Sequence, residues 1–241
     1  MNVGVVLNGR RTAEEIATLA QMAEDAGVRQ LWLSGGARTK DHFLRLAELE
    51  PPPLYVGANR PRMISMAAKA ADGLMFTDMP IGYLGHLMGI VRSALGDASR
   101  PPGALRISNW FVWNIQETRA RAVELARQQL GFRLYYIRDV ARALDLTESE
   151  AVELERRQPE MLRAIFEGRR PWTPSPSVLE RLIQHLTLSG GPEDIERCIE
   201  RLLDMRRAGL TEIAFMPHGD PRQAIRLLQE RVLPVVQTGP D

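Results

Sequence analysis

The 241-residue chain carries 31 lysines and arginines against 30 aspartates and glutamates, and this net charge of +1 argues against nucleic acid as the main partner. Hydrophobic residues at 44% and charged residues at 25% fit a globular protein, and no apolar run reaches the ~20 residues of a membrane span. Cys198 is the only cysteine, which excludes a disulfide framework or a cysteine-rich metal site and favours a reducing, cytoplasmic setting.

From the N-terminus, 3–7 is a short β-rich run ending at the turn signal Asn8-Gly9. Thr12 and Glu15 have capping-box spacing, and Ile16, Leu19, Ala20 and Ala23 repeat at helical spacing over 12–26. Gly27 stops that helix and 28–34 reads as the next strand, closing on Gly35-Gly36, which makes one βαβ unit and implies a parallel sheet. The segment 23–33 recurs as 205–215, each a helix end, Ala-Gly and a strand, and 67–77 is a looser copy. Such repetition points to a repeated α/β architecture. Further strands are expected at 53–57, 73–77, 105–114 and 211–216. Further helices are expected at 39–49, 61–71, 81–96, 117–131, 178–186, 192–208 and 221–233. Residues 132–170 read as added helices with Tyr135, Tyr136, Val140 and Leu144 on one face, followed by a proline-rich loop at 169–177. The whole reads as one domain, 1–241, with a helical insertion at about 132–177. Six strands are expected, where a closed barrel of this type has eight.

Chemistry in parallel α/β folds collects at the C-terminal ends of strands. Those ends carry Asn8, Ser34-Gly35, Ala58-Asn59-Arg60, Thr77-Asp78, Trp113-Asn114 and Pro217-His218. They are rich in hydrogen-bonding groups, and besides the arginine only Asp78 and His218 are ionisable, which suits a polar planar ligand better than a hydrolytic triad or a metal cage. Gly57 and Ala58 allow close backbone approach, Arg60 offers a cationic fork, and Pro61 suits the first helical position. Free amides and the helix dipole then make an anion site, although an ordinary βα turn would use the same residues. Asp220 and Pro221 read as plain helix capping. His42 and His185 read as surface or packing residues and His86 as a core histidine, while His218 alone falls at a strand end. Trp110 and Trp113 read as core residues of one strand.

Four segments, taken in order, resemble the luciferase-like flavin and deazaflavin oxidoreductase family: 14–34, 52–76, 105–127 and 190–217, with 219–236 as a closing helix. The most specific is the proline-led strand, the small-residue loop Gly57-Ala58-Asn59-Arg60-Pro61-Arg62 and the Ala71-Asp72-Gly73 strand entry. The resemblance implies an α/β fold, a TIM-barrel-like (β/α)8 type that is here incomplete. It implies FMN or coenzyme F420 at the strand C-termini, with Gly57, Ala58, Asn59, Arg60 and Arg62 at the cofactor phosphate, Thr77 beside the ring system, and Ser34 also among the cofactor-binding residues. The implied reaction is hydride transfer between the cofactor and a small organic substrate, or oxygen activation, in a homodimer with neither a membrane nor a nucleic-acid partner. Two departures stand against full activity. About two βα units of the family have no counterpart between 49 and 51, and Gly35-Gly36 stand where many deazaflavin members carry Asp-His. The alternative is therefore a non-catalytic flavin-binding protein with a truncated barrel. No catalytic residue is assigned.

Overall fold

The computed structural model describes residues 1–8, 11–34 and 53–237. The expected helix at 39–49, Gly35-Gly36 and His42 lie outside the described residues.

Among the described residues there are seven strands, all parallel: β1 (Asn2–Asn8), β2 (Gln30–Ser34), β3 (Tyr55–Gly57), β4 (Gly73–Thr77), β5 (Arg106–Ile115), β6 (Thr187–Gly190) and β7 (Glu212–Pro217). Six form the continuous order β2-β1-β7-β5-β4-β3. These are the six strands expected from sequence, and β6 is an addition. It is four residues long and follows the helix Pro176–Leu186 without a connecting turn, too short for a period-2 pattern to register. Val112 and Trp113 pair with both β6 and β7, so those two strands lie on opposite edges of β5. β4 takes the lower half of β5 and β6 the upper.

The helices are α1 (Ala13–Asp25), α2 (Pro61–Ala70), α3 (Ile81–Asp97), α4 (Arg119–Gln129), α5 (Ile137–Val140), α6 (Glu148–Phe166), α7 (Pro176–Leu186), α8 (Ile195–Arg207), α9 (Pro221–Leu227) and α10 (Leu233–Val236). Gly27 and Gly209, at φ of 84° and 111°, occupy the left-handed position that ends α1 and α8 and turns the chain into a strand. Gly73, the glycine of the looser repeat, has no positive φ and serves a different purpose. The Thr12–Glu15 capping box is present in full. Thr12→Ala should therefore cost about 1 kcal/mol, read as a lowered denaturation midpoint with an unchanged slope.

The sheet is curled. Three strand spacings of ~4.8 Å, roughly 14 Å in a flat sheet, separate β3 from β7. Yet the Tyr55 hydroxyl donates to Glu212 Oε2 at 2.7 Å. Trp32 and Tyr55, on the two end strands of the order, meet edge to face at 5.1 Å between ring centroids. The face bearing Tyr55, Glu212 and Trp32 is therefore concave, and the structure is a half-barrel whose ends are brought together by side chains. The opposite face carries Val3, Val5, Leu7, Leu74, Phe76, Phe111, Trp113, Ile213 and Phe215, all buried in the main core. Trp110 and Trp113, three residues apart, point to opposite faces: Trp113 is core and packs on Phe215, while Trp110 is half-buried on the concave side.

The Ala71-Asp72-Gly73 signature has a mechanical explanation. Asp72 Oδ2 accepts the Leu54 N–H at 2.8 Å and the Leu54 carbonyl accepts from Asp72 and Gly73, which fixes the entry of β3 beside β4. Gly73 lies in register with Tyr55, and a Cβ there would come within 2.2 Å of the Tyr55 ring. The missing side chain is the space that the ring crosses to reach Glu212.

Candidate active site

The C-terminal ends of the strands form one mouth. On one side β3 runs into α2 through Gly57-Ala58-Asn59-Arg60. Pro61 starts the helix, no side chain caps its first turn, and no acidic residue lies in that turn. At the other end of α2, Arg100 donates to the carbonyls of Ala68 and Ala71 at 2.7 and 2.9 Å, which holds the helix in place. A Cβ built at Gly57 meets no atom within 4 Å, so the protein's own packing does not require glycine there. Together these features leave an open, uncapped helix N-terminus suited to an anion.

Of the expected site residues, Gly57 to Arg62 and Thr77 adjoin this helix start, with different tasks. Asn59 Oδ1 accepts the Thr77 N–H at 3.0 Å, so its amide clasps the ends of β3 and β4 together. The Ala58 N–H is engaged by the Met75 carbonyl. Arg60 lies 3.5 Å from Asp139 and over the Tyr136 ring, while Arg62 and the Thr77 side chain are exposed. Ser34 ends β2, paired with Asn8, at the far end of the strand order.

The second part of the mouth was only half visible in the sequence. Asp78 follows β4 in the left-handed region at φ 52°, buried, with Oδ1 lacking a hydrogen-bond partner. Burial pushes its carboxyl up to about 6, against the opposing pull of the Arg133 charge. Arg133 comes from the 3-10 turn Leu130–Arg133 and lies 3.8 Å from Asp78. Burial, aided by the charge of Arg133, pushes the His218 imidazole down to about 3, so this ring is neutral at ordinary pH. Beside His218 a cleft of 330 Å³ opens between the ends of β1 and β7 and the last turn of α4. The signal for Arg133 was an arginine embedded in the apolar run 130–137, of which Leu130, Gly131, Leu134 and Ile137 are buried in this fold. Tyr135 is 59% exposed, opposite in character to buried Val140 and Leu144. His86 is exposed and stacks on Tyr83 at 5.0 Å, because the apolar stripe of α3 runs through Leu84, Leu87, Met88 and Val91 instead. Asp220 caps α9 by accepting from the Arg222 N–H at 2.9 Å, the plain capping expected of it.

Residues 34–212 match the family model described as luciferase-like monooxygenase. The chain belongs to the luciferase-like monooxygenase family. Its similarity to the 5,10-methylenetetrahydromethanopterin reductase of Archaeoglobus fulgidus is 24% identity over 184 residues, 76% of this chain and 54% of the reductase. The chain thus spans about half the length of that curated relative. Among solved structures, the coenzyme F420-dependent tetrahydromethanopterin reductase from Methanopyrus kandleri superposes with a TM-score of 0.72 at 13% identity, covering 97% of this chain and 98% of that one. An F420-dependent secondary alcohol dehydrogenase in complex with an F420-acetone adduct gives 0.55 at 15% identity, covering 78% and 49%. Flavoprotein 390 gives 0.50 at 14% identity, covering 98% and 95%. These likenesses establish the fold, a half-barrel of the luciferase-like type. No helix among the described residues is long and apolar enough to cross a membrane, and no cluster of three or more His, Cys, Asp or Glu that could hold a metal occurs among them.

Proposed function

We propose that this chain is an oxidoreductase that binds the phosphate of coenzyme F420 or FMN at the N-terminus of α2 and serves hydride transfer with a small organic substrate. The observation that carries this reading is the uncapped first turn of α2 beside an open Gly57, at a strand end of a luciferase-like half-barrel. The residues fit the group. Gly57 leaves room, the helix end and Arg62 supply positive potential, and Arg60 is within reach once it leaves Asp139. Asn59 holds Thr77 at the mouth, where its exposed side chain faces a bound ring, with Ser34 across the opening. Bound in reduced form, either cofactor supplies the hydride, and the protein's part is binding and orientation.

Absorption titration of the purified protein with FMN and with F420 tests this directly. Gly57→Val should fold normally, since its Cβ meets open space, and weaken either cofactor about tenfold while leaving phosphate-free riboflavin unaffected. Absence of any spectral change with both cofactors would remove the proposal. A non-catalytic flavin-binding role is the second reading, favoured by Gly35-Gly36 in place of the Asp-His of many deazaflavin members. Cofactor binding with no turnover under any donor would select it. Homodimer assembly belongs to the same proposal. β2 and β3 end the strand order among the described residues, and Leu31, Leu54, Met63 and Met66 near them are exposed. A stable monomer in sedimentation would count against it.

A further inference from the structure

Arg133 is a buried cation with too few acceptors. Its side chain is 2% exposed, Nη1 donates to the Gln129 carbonyl at 2.9 Å, and Nε has no hydrogen-bond partner. The Asp78 Oδ1 nearby, at 3.8 Å, is beyond hydrogen-bond distance and itself lacks a partner, as does His218 Nδ1. Native proteins contact a buried guanidinium with an anion or satisfy its donors. Arg133 Nε, Asp78 Oδ1 and His218 Nδ1 are thus three unsatisfied polar atoms; His218 and Gln129 line the 330 Å³ cleft, and Arg133, bonded to the Gln129 carbonyl, stands behind them outside its lining. Among the described residues of that lining Arg11 is the only one with a full charge and none is a carboxylate, while Gln128, Gln129 and His218 share the walls with apolar Val6, Leu125 and Met216.

We propose that this cleft binds a small organic anion, drawn by Arg11 on its wall and by the positive charge of Arg133 behind it, with the anion's body against β1, β7 and α4. That this anion is the oxidoreductase substrate rests on the proposed function; that it binds does not. Five charged or titratable groups bear on the outcome: Arg133 from the 3-10 turn, His218 from the end of β7, Asp78 from the end of β4, and Arg11 with its ion-pair partner Glu15 at 4.0 Å. His218 is uncharged above pH 4, so Asp78 alone changes charge in the neutral range. An ionised Asp78 competes with a bound anion for Arg133, and anion binding is therefore coupled to proton uptake by Asp78.

The probe is benzoate, with neutral benzamide as its isostere, titrated calorimetrically into the whole protein without cofactor. Benzoate should bind at least about tenfold more tightly than benzamide, and its affinity should fall by about tenfold or more between pH 6 and pH 8. Asp78→Asn should flatten that pH dependence. Arg133→Met and Arg11→Gln should each weaken benzoate and leave benzamide unchanged; if Arg133→Met does not fold, Arg11→Gln and Asp78→Asn decide. Equal binding of the two probes, no benzoate binding, or a pH dependence that survives Asp78→Asn would overturn the proposal. Because no cofactor is present, failure here leaves the flavin titration unaffected, and failure of that titration leaves this result standing.

Discussion

Gly73→Ala should destabilise the protein by about 3 kcal/mol, although the change adds a single methyl group. A Cβ at this position would lie 2.2, 2.3 and 2.7 Å from Cε1, Cδ1 and Cζ of Tyr55, all well inside contact distance. The ring has nowhere to go. Its hydroxyl is tied to Glu212 at 2.7 Å and its edge meets Trp32 at 5.1 Å, so moving away breaks the contact that joins the two ends of the sheet. Losing the hydroxyl also strands Glu212, a carboxylate only 2% exposed, and leaving such a group unsatisfied costs about 1–3 kcal/mol or more. Tyr55→Ala alone should cost a similar amount to Gly73→Ala, through the lost ring and the stranded carboxylate. The double variant should cost less than the sum of the two by about 2 kcal/mol, since removing the ring abolishes the clash. Urea denaturation of the four proteins measures this coupling. A Gly73→Ala protein within 0.5 kcal/mol of the parent would show that the ring does not fill the space over Gly73, and the account of how the half-barrel closes would fall with it.

What could be seen in the sequence was local. Gly27 and Gly209 end helices because a left-handed residue is needed there, and Pro61 and Asp220 start helices through their own backbone and side-chain chemistry. Such signals act within four or five residues, so the order of strands and helices followed from them. The curl of the sheet did not, because it rests on Tyr55 reaching Glu212 and Trp32, contacts between residues distant in sequence. The candidate site divides along the same line. The loop from Gly57 to Arg62 is contiguous, and its placement at a strand end was legible. What Asn59 and Arg60 touch was not, since Thr77, Tyr136 and Asp139 come from other elements. Arg133 illustrates the limit: in the sequence it is one arginine among apolar neighbours in a helical segment, and only the packing of the 3-10 turn onto the mouth reveals it as a buried charge beside Asp78.

Asp78→Asn should stabilise the protein at pH 8 and change little at pH 3.5. The carboxyl is raised by burial from an ordinary value of 3.8 to about 6, which means that the fold disfavours the charged form despite Arg133 nearby. A carboxyl raised in this way contributes stability that is fully present below its unfolded value and is lost as pH rises through about 6. Above pH 7 the native protein therefore carries a penalty of about 3 kcal/mol for ionising Asp78, which a neutral amide of the same shape avoids. Asparagine also tolerates the left-handed φ of 52° at this position, so the backbone adds no opposing strain. Urea denaturation at the two pH values reads the effect, and an Asp78→Asn protein that is no more stable than the parent at pH 8 would refute it. The same substitution is expected to remove the pH dependence of anion binding beside Arg133. One residue thus carries both the stability defect and the proton coupling, and gaining the first back should abolish the second.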